Sequence, residues 1–318
     1  MDVLTVGEAM TLLIAQESGP LDAVQHFARA TAGAELNVAV GLARLGFEVG
    51  YLSRLGDDSF GRHLLGFMAG ERIRTDFVRI DGRHPTGMML KSRSVDGSDP
   101  AIEYFRRGSA ASHLGPADLP AAAFASTRHL HLTGISPALS DATCELVFEM
   151  AHAARRAGMT ISFDPNLRPR LWSSETAMRE TLNRLASLCD WILPGKSEGR
   201  LLSGHADPQA IADFYLAGGA KAVFVKLGPE GAFHADTNDR GCVPGVAVTR
   251  VVDTVGAGDA FAVGVISALL EGLSHRQAAA RGAWMGARAV QFSGDCDGLP
   301  TRAELEQGLS SPSPTPAS

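Results

Sequence analysis

The chain has 318 residues, 45% of them hydrophobic, which is ample for the core of one large α/β domain with an appendage. Its 29 Lys and Arg stand against 35 Asp and Glu, so no cationic field for nucleic acid is implied. There is no run of about 20 apolar residues, and Met1-Asp2-Val3-Leu4-Thr5 has no basic segment leading into an apolar one. Neither a membrane span nor a signal peptide is therefore expected, and a cytoplasmic location is.

In chain order, strands are predicted at 3–7 and 11–15, a helix at 35–45, a strand at 49–53 and a helix at 60–69. Two strand-like runs, 87–93 and 102–107, flank Asp96-Gly97-Ser98-Asp99-Pro100 and read as an antiparallel hairpin. Then come strand 129–133, helix 142–157, strand 160–164, helix 174–188, strand 191–194, helix 208–216 and strand 222–226. Helices at 257–270 and 275–292 follow, and a Ser/Pro-rich tail predicts disorder over 306–318. Strands alternating with helices indicate a mainly parallel sheet, and their continuous apolar runs indicate helices on both of its faces. The hairpin and the run at 11–15 predict a second, smaller sheet, which could serve as a lid over a site at the strand ends.

Cys144, Cys189, Cys242 and Cys296 are far apart and form no C-x-x-C pair, which predicts buried thiols rather than metal ligands or disulfides. His129 and His131 flank Leu130 with no third ligand nearby, so a structural role is expected.

The stretch with the most chemistry in it is Val252-Asp253-Thr254-Val255-Gly256-Ala257-Gly258-Asp259-Ala260-Phe261, where a strand is expected to hand over to a helix. Gly256 and Gly258 let main-chain N–H groups converge, and a helix start adds about half a positive charge. Together they would form an anion hole for a phosphate or a phosphoryl group in transfer. A carboxylate beside such a hole makes sense if a hydroxyl sits between them: Asp259 takes its proton while the amides steady the migrating charge. The turn alone is equally compatible with a glycine-rich connection capped by Asp259. Two lookalikes fail. Gly256-x-Gly258-x-x-Phe261 lacks the third glycine of a dinucleotide fingerprint, and Gly195-Lys196-Ser197 lacks the first glycine of a P-loop, where Asp190 stands.

Asp253-Thr254-Val255-Gly256-Ala257-Gly258-Asp259 resembles the signature of the PfkB, or ribokinase-like, carbohydrate kinases. Further stretches resemble the same family in the same order: Gly33-Ala34-Glu35-Leu36-Asn37-Val38-Ala39, Arg54-Leu55-Gly56-Asp57-Asp58-Ser59-Phe60-Gly61 and Val225-Lys226-Leu227-Gly228-Pro229-Glu230-Gly231. Tyr104-Phe105-Arg106-Arg107-Gly108, Leu130-His131-Leu132-Thr133-Gly134 and Asp164-Pro165-Asn166-Leu167-Arg168 are similar to the branch acting on 2-keto-3-deoxygluconate. The resemblance covers nearly the whole chain. It implies a ribokinase-like three-layer αβα fold, with a kinase domain over 1–305 and a discontinuous β-lid at about 10–32 and 86–108.

It further implies ATP-dependent phosphorylation of the terminal hydroxyl of a small-molecule sugar acid, with Mg²⁺, and with a monovalent cation such as K⁺ as a candidate addition. No nucleic acid or membrane partner is expected, and a homo-oligomer through the lid is. By the resemblance, Asp259 is the base and Gly256, Ala257 and Gly258 form the anion hole. Gly33, Asn37, Tyr104, Arg106 and Arg168 hold the substrate, the guanidinium groups suiting its carboxylate. Lys226, Gly228 and Gly231 border the nucleotide, and Glu198 orders Mg²⁺ through water. Without the resemblance, Arg106 and Arg107 read as a solvated hairpin face, Arg168 as a loop ion pair, Tyr104 as lid packing and Glu198 as a solvent-facing helix residue.

Three positions depart from the family pattern: Gly195 and Ala283 each stand where many members carry Asn, and Met89 stands where some sugar-acid kinases carry a second Tyr. Two other functions are compatible with the chain: a fructokinase-like or other sugar kinase, and a non-catalytic sugar-binding sensor.

Overall fold

A computed structural model describes residues 1–93 and 100–310. Positions 96–99 of the predicted hairpin turn lie outside the described residues. The strands are β1 (Val3–Val6), β2 (Met10–Ala15), β3 (Phe27–Ala32), β4 (Val49–Gly56), β5 (Val78–Asp81), β6 (Met88–Lys91) and β7 (Ile102–Phe105), then β8 (His129–Thr133), β9 (Thr160–Asp164), β10 (Trp191–Ile192), β11 (Ala222–Lys226), β12 (Gly231–Asp236) and β13 (Arg240–Pro244). The helices are α1 (Ala34–Arg44), α2 (Ser59–Gly70), α3 (Ala121–Phe124), α4 (Asp141–Arg156) and α5 (Glu175–Ala186), then α6 (Lys196–Ser203), α7 (Pro208–Ala217), α8 (Ala257–Leu270), α9 (His275–Ala289) and α10 (Arg302–Ser310).

Nine strands form the main sheet in the order β13-β12-β11-β10-β9-β8-β1-β4-β5. The run from β11 to β5 is parallel, and β12 and β13 extend it by antiparallel pairing. β1 and β8 are buried along their length, and β11 from Ala222 to Val225, because helices cover both faces of the sheet. One core layer packs α1, α8 and α9 on one face, through Leu36, Val40, Val263, Ile266 and Met285. The other packs α4, α5 and α7, through Leu146, Met150, Leu182 and Ile211. α8 is buried almost all round, and Gly264 lets it approach α9, since a Cβ there would lie 2.6 Å from the Gly282 Cα.

A second sheet, β3-β2-β6-β7, stands apart with its own small core of Met10, Leu12, Ala32 and Met89. The α/β class and the separate small sheet agree with the sequence expectation. β3, β5, β12, β13, α3, α6 and α10 escaped individual prediction; β3, β5 and β13 are short and largely exposed on one face.

Several expectations need correction. No strand precedes the glycine turn: Val251 and Val252 are 44% and 36% exposed on a loop, because β-branched side chains alone do not make a strand without a neighbour to pair with. The helix predicted at 275–292 ends at Ala289. Residues 306–310, assigned to a disordered tail, continue α10, whose Leu305 is buried in the core. All four cysteines are free, but Cys242 is exposed on the edge strand β13 and Cys144 is half-buried, so the expectation of four buried thiols holds only for Cys189 and Cys296. Among the described residues, no helix is long and apolar enough to cross a membrane.

Candidate functional site

Helix starts distinguish one end of the molecule. α2, α4, α5, α7 and α9 each have a side chain accepting from their first turn: Asp58, Ser140, Ser174, Asp207 and Ser274. α1, α6 and α8 have glycine N-caps, Gly33, Gly195 and Gly256, and no side-chain cap from them; at α6 Glu198 reaches back to Gly195 N, whereas α1 and α8 have no such bond. Apart from Ala257 N, which donates to the Thr254 carbonyl at 3.4 Å, the first-turn amides of α1 and α8 are left for some other acceptor. Gly33 and Gly256 are both conformationally required. Gly33 has φ 139° and Gly256 φ 81°; a Cβ would meet the Glu8 carbonyl at 2.6 Å and the Asp295 carbonyl at 2.7 Å, respectively.

The two open helix starts border one cavity of about 390 Å³, which lies between the small sheet and the ends of β9 and β11. Met89, Tyr104 and Arg106 line it from the small sheet, Gly33 and Asn37 from α1, Gly256, Gly258 and Asp259 from α8. Asn166, Arg168, Glu198 and Lys226 complete the wall. Ten of the thirteen residues singled out from the sequence are thus brought together. Ala257, Gly228 and Gly231 are not in this wall. Gly228 borders a wider neighbouring cleft of about 1000 Å³ that shares Lys226 with the cavity. Gly231 has φ 101° in the β11–β12 connection, where a Cβ would lie 2.2 Å from the Val243 carbonyl, so its geometry is explained by the hairpin.

Asp259, in the first turn of α8, is buried. Two carboxamides hold it: Asn37 Nδ2 donates to Oδ2 at 2.7 Å and Asn166 Nδ2 donates to Oδ1 at 3.2 Å. Asn37 is itself oriented, since the buried Cys296 thiol donates to its Oδ1 at 3.0 Å. Asn166 has φ 39°, a left-handed conformation that asparagine tolerates better than most residues. Burial pushes the Asp259 carboxyl up to about 7; Asn37, Lys226 and Arg168 oppose the rise and Asp164 adds to it. A carboxyl at that value exchanges a proton near neutral pH, as general-base chemistry asks.

Lys226, at the end of β11, donates to both oxygens of Asp164 at 2.7 and 2.9 Å, with Glu198 at 4.0 Å. Burial works against its charge, but Asp164 and Glu198 outweigh it and hold the ammonium above its ordinary pKa. Its Nζ would be 3.4 Å from a Cβ on Gly258, so a fixed positive charge sits against the open start of α8. That combination favours an anion. Glu198 is not a solvent-facing residue: its oxygens accept from Gly195 N at 2.6 Å and Leu167 N at 2.8 Å, capping α6 and pinning the loop that carries Arg168.

The two arginines differ. Arg106 Nε donates to the buried Glu8 at 2.6 Å, Ser109 Oγ donates to the other Glu8 oxygen, and the guanidinium lies 5.7 Å from the Tyr104 ring centroid. Arg107 is exposed. Arg168 donates only to the carbonyls of Asn166 and Leu167, at 3.4 and 3.0 Å, and forms no ion pair among the described residues. The alternative of a loop ion pair for Arg168 therefore does not hold. His129 and His131 are fully buried and bonded to Thr160 and Ser162, a structural arrangement as expected.

Sequence reasoning missed Glu8, Asp164 and Asn166. Asp164 and Asn166 carried a signal, a polar pair flanking Pro165 just where a strand ends. Glu8 carried only its place just after β1. No group of three or more His, Cys, Asp or Glu able to hold a metal occurs among the described residues.

Residues 1–302 match the family described as pfkB family carbohydrate kinase. The chain is 48% identical to the 2-dehydro-3-deoxygluconokinase of Bacillus subtilis (strain 168), over 98% of this chain and 96% of that protein. It is 31% identical to the 2-dehydro-3-deoxygluconokinase of Thermoproteus tenax, over 97% and 94%. A PfkB protein from Polaromonas sp. JS666 superposes with a TM-score of 0.89 at 52% identity, covering 96% of this chain and 99% of that one. A candidate ribokinase II of E. coli in complex with ATP and Mg²⁺ superposes with a TM-score of 0.90 at 26% identity, covering 97% and 98%. A fructokinase of Vibrio cholerae bound to fructose, ADP and potassium gives 0.84 at 27%, covering 98% and 99%.

Proposed function

This chain belongs to the pfkB family of carbohydrate kinases, and from that premise we propose that it transfers the γ-phosphoryl group of ATP to the terminal hydroxyl of 2-dehydro-3-deoxy-D-gluconate. The observation that carries the proposal is one cavity in which a proton-accepting carboxylate, an open helix start and two guanidinium groups meet. Asp259 takes the proton of the attacking hydroxyl, with Asn37 and Asn166 fixing its direction. The amides of Gly256, Ala257 and Gly258 and the Lys226 ammonium carry the charge of the migrating group. Arg168, with no carboxylate of its own, binds the sugar carboxylate, and Arg106 and Tyr104 close over the substrate from the lid. Near-full-length relatives at 48% and 31% identity carry the name of this activity, which supports the sugar acid over a neutral sugar.

ATP enters, in this reading, from the wider cleft beside Gly228 and reaches the reaction centre at Lys226. The donor set suits Mg²⁺ rather than a metal fully caged by protein, because Mg²⁺ keeps waters and takes few side chains beside nucleotide phosphates. Glu198 would hold it through water, and the ion would offset phosphate charge. A monovalent cation such as K⁺ is tested by the same assay in potassium and in bulky organic-cation salts. A homo-oligomer through the lid would use the outer face of β7, where Phe105, on the side opposite the cavity-lining Tyr104, is 53% exposed. Phe105→Glu should then dissociate it in light scattering.

The deciding experiment is ADP release across sugar acids and neutral sugars, with Arg168→Ala alongside. A sugar-acid kinase turns over 2-dehydro-3-deoxygluconate and loses affinity for it in the variant. Preference for fructose would shift the assignment to a neutral-sugar kinase. Equal, slow release by wild type and Asp259→Asn with every sugar would leave a non-catalytic sensor.

A further inference from the structure

β6 ends on Lys91, whose side chain is buried at 2% exposure. Its ammonium forms an ion pair with Asp253, lies 3.1 Å from Asp295 Oδ1 and lies 3.4 Å from the Ser293 carbonyl. Both carboxylates are buried. Three segments distant in sequence meet at this nitrogen: the small sheet, the loop leading to the glycine turn, and the loop after α9. An ammonium has three N–H groups on a compact charge, which suits three oxygens converging from different directions.

Both acidic partners brace the turn that opens α8. The other Asp253 oxygen accepts from Val255 N at 3.0 Å. The Asp295 main-chain oxygen packs against Gly256, close enough to exclude a Cβ. On the other side, β6 pairs with β7, with Met89 opposite Tyr104, so the same strand carries the wall that bears Tyr104 and Arg106. The contacts thus run from the sugar-facing sheet through Lys91 to the amides at the start of α8.

We propose that Lys91 is a positioning residue for phosphoryl transfer, its charge holding Asp253 and Asp295 together and thereby fixing the Gly256–Gly258 amides in register with the small sheet. The proposal rests on the kinase reading above. Without the ammonium, two buried carboxylates repel each other across the turn. The amides then lose their alignment while the sugar contacts at Arg168 remain.

The test is steady-state kinetics and amide hydrogen exchange on Lys91→Met and Lys91→Ala, with circular dichroism to establish folding. Misalignment of a catalytic group by a distant change lowers rate by about 10- to 100-fold, so kcat should fall by that factor while KM for the sugar acid stays near wild type. Ethylammonium should restore part of kcat to Lys91→Ala and leave wild type unaffected. Exchange over 253–258 should quicken in both variants. If Lys91→Met does not fold, Lys91→Met/Asp295→Asn, which removes one stranded charge, should fold and show the same split. A folded variant with unchanged kcat and unchanged exchange overturns the proposal, as does a loss confined to KM. If wild type phosphorylates nothing, the kinase reading fails, and the exchange measurement still decides whether Lys91 holds the turn.

Discussion

Glu8 and Asp259 are both carboxylates buried beside the same cavity, and they are bound in opposite ways. Glu8 meets a guanidinium and a hydroxyl, from Arg106 and Ser109, so its charge is matched by a full opposite charge. Asp259 meets two neutral carboxamides, from Asn37 and Asn166, so its direction is fixed while its charge is not cancelled. A carboxylate paired with a cation is a structural tie. One aimed by amides in a dry site retains its appetite for a proton. The cavity therefore has a fixed electrostatic side, toward the small sheet, and a reactive side, at the start of α8.

The sharpest break in this contrast is Asp259→Asn. Loss of a general base lowers rate by roughly 10²- to 10⁴-fold, so ADP release should collapse by that factor while calorimetric sugar binding survives. If activity persists, the reactive side has been misassigned. The same carboxyl sets the pH response. Only the ionised form accepts a proton, so kcat/KM should rise about tenfold per pH unit below 7 and level off above it. A profile flat from pH 5 to 8 would contradict the raised value.

On the structural side, Arg106→Met strands the buried Glu8 charge and should destabilise the fold by about 3–5 kcal/mol in urea titration. Adding Glu8→Gln should recover much of that loss, whereas a purely substrate-binding Arg106 would show no such recovery. Asn37→Ala removes a hydrogen bond to a charged group, an interaction worth about 1.5–3 kcal/mol, so kcat should drop roughly 10- to 100-fold. Its effect should exceed that of Cys296→Ala, which only loosens the orientation of Asn37. Smallest of all, Arg107→Ala, on the exposed face beside Arg106, should leave both kinetics and melting temperature unchanged.

The reactive side was the more legible in the sequence. Gly256, Gly258 and Asp259 lie within four consecutive positions, and their chemistry follows from residue type plus a helix start. The sheet was legible for a similar reason: apolar runs such as 222–225 occur wherever both faces of a strand are covered. The structural side was not legible, because Glu8 and Arg106 are 98 residues apart and neither is distinctive alone. Lys91, 204 residues from Asp295, lies within the predicted strand-like run 87–93 with nothing local to single it out. The absence of a strand before the turn was equally hidden, since Val251 and Val252 have strand-like side chains and no partner.

Local spacing, then, was sufficient for the layered α/β architecture and for the glycine–aspartate turn, because periodicity and backbone freedom are properties of neighbours along the chain. Which carboxylate is neutralised and which is left reactive was decided only by folding. Burial and ion pairing depend on groups that the sheet order brings together from opposite ends of the sequence.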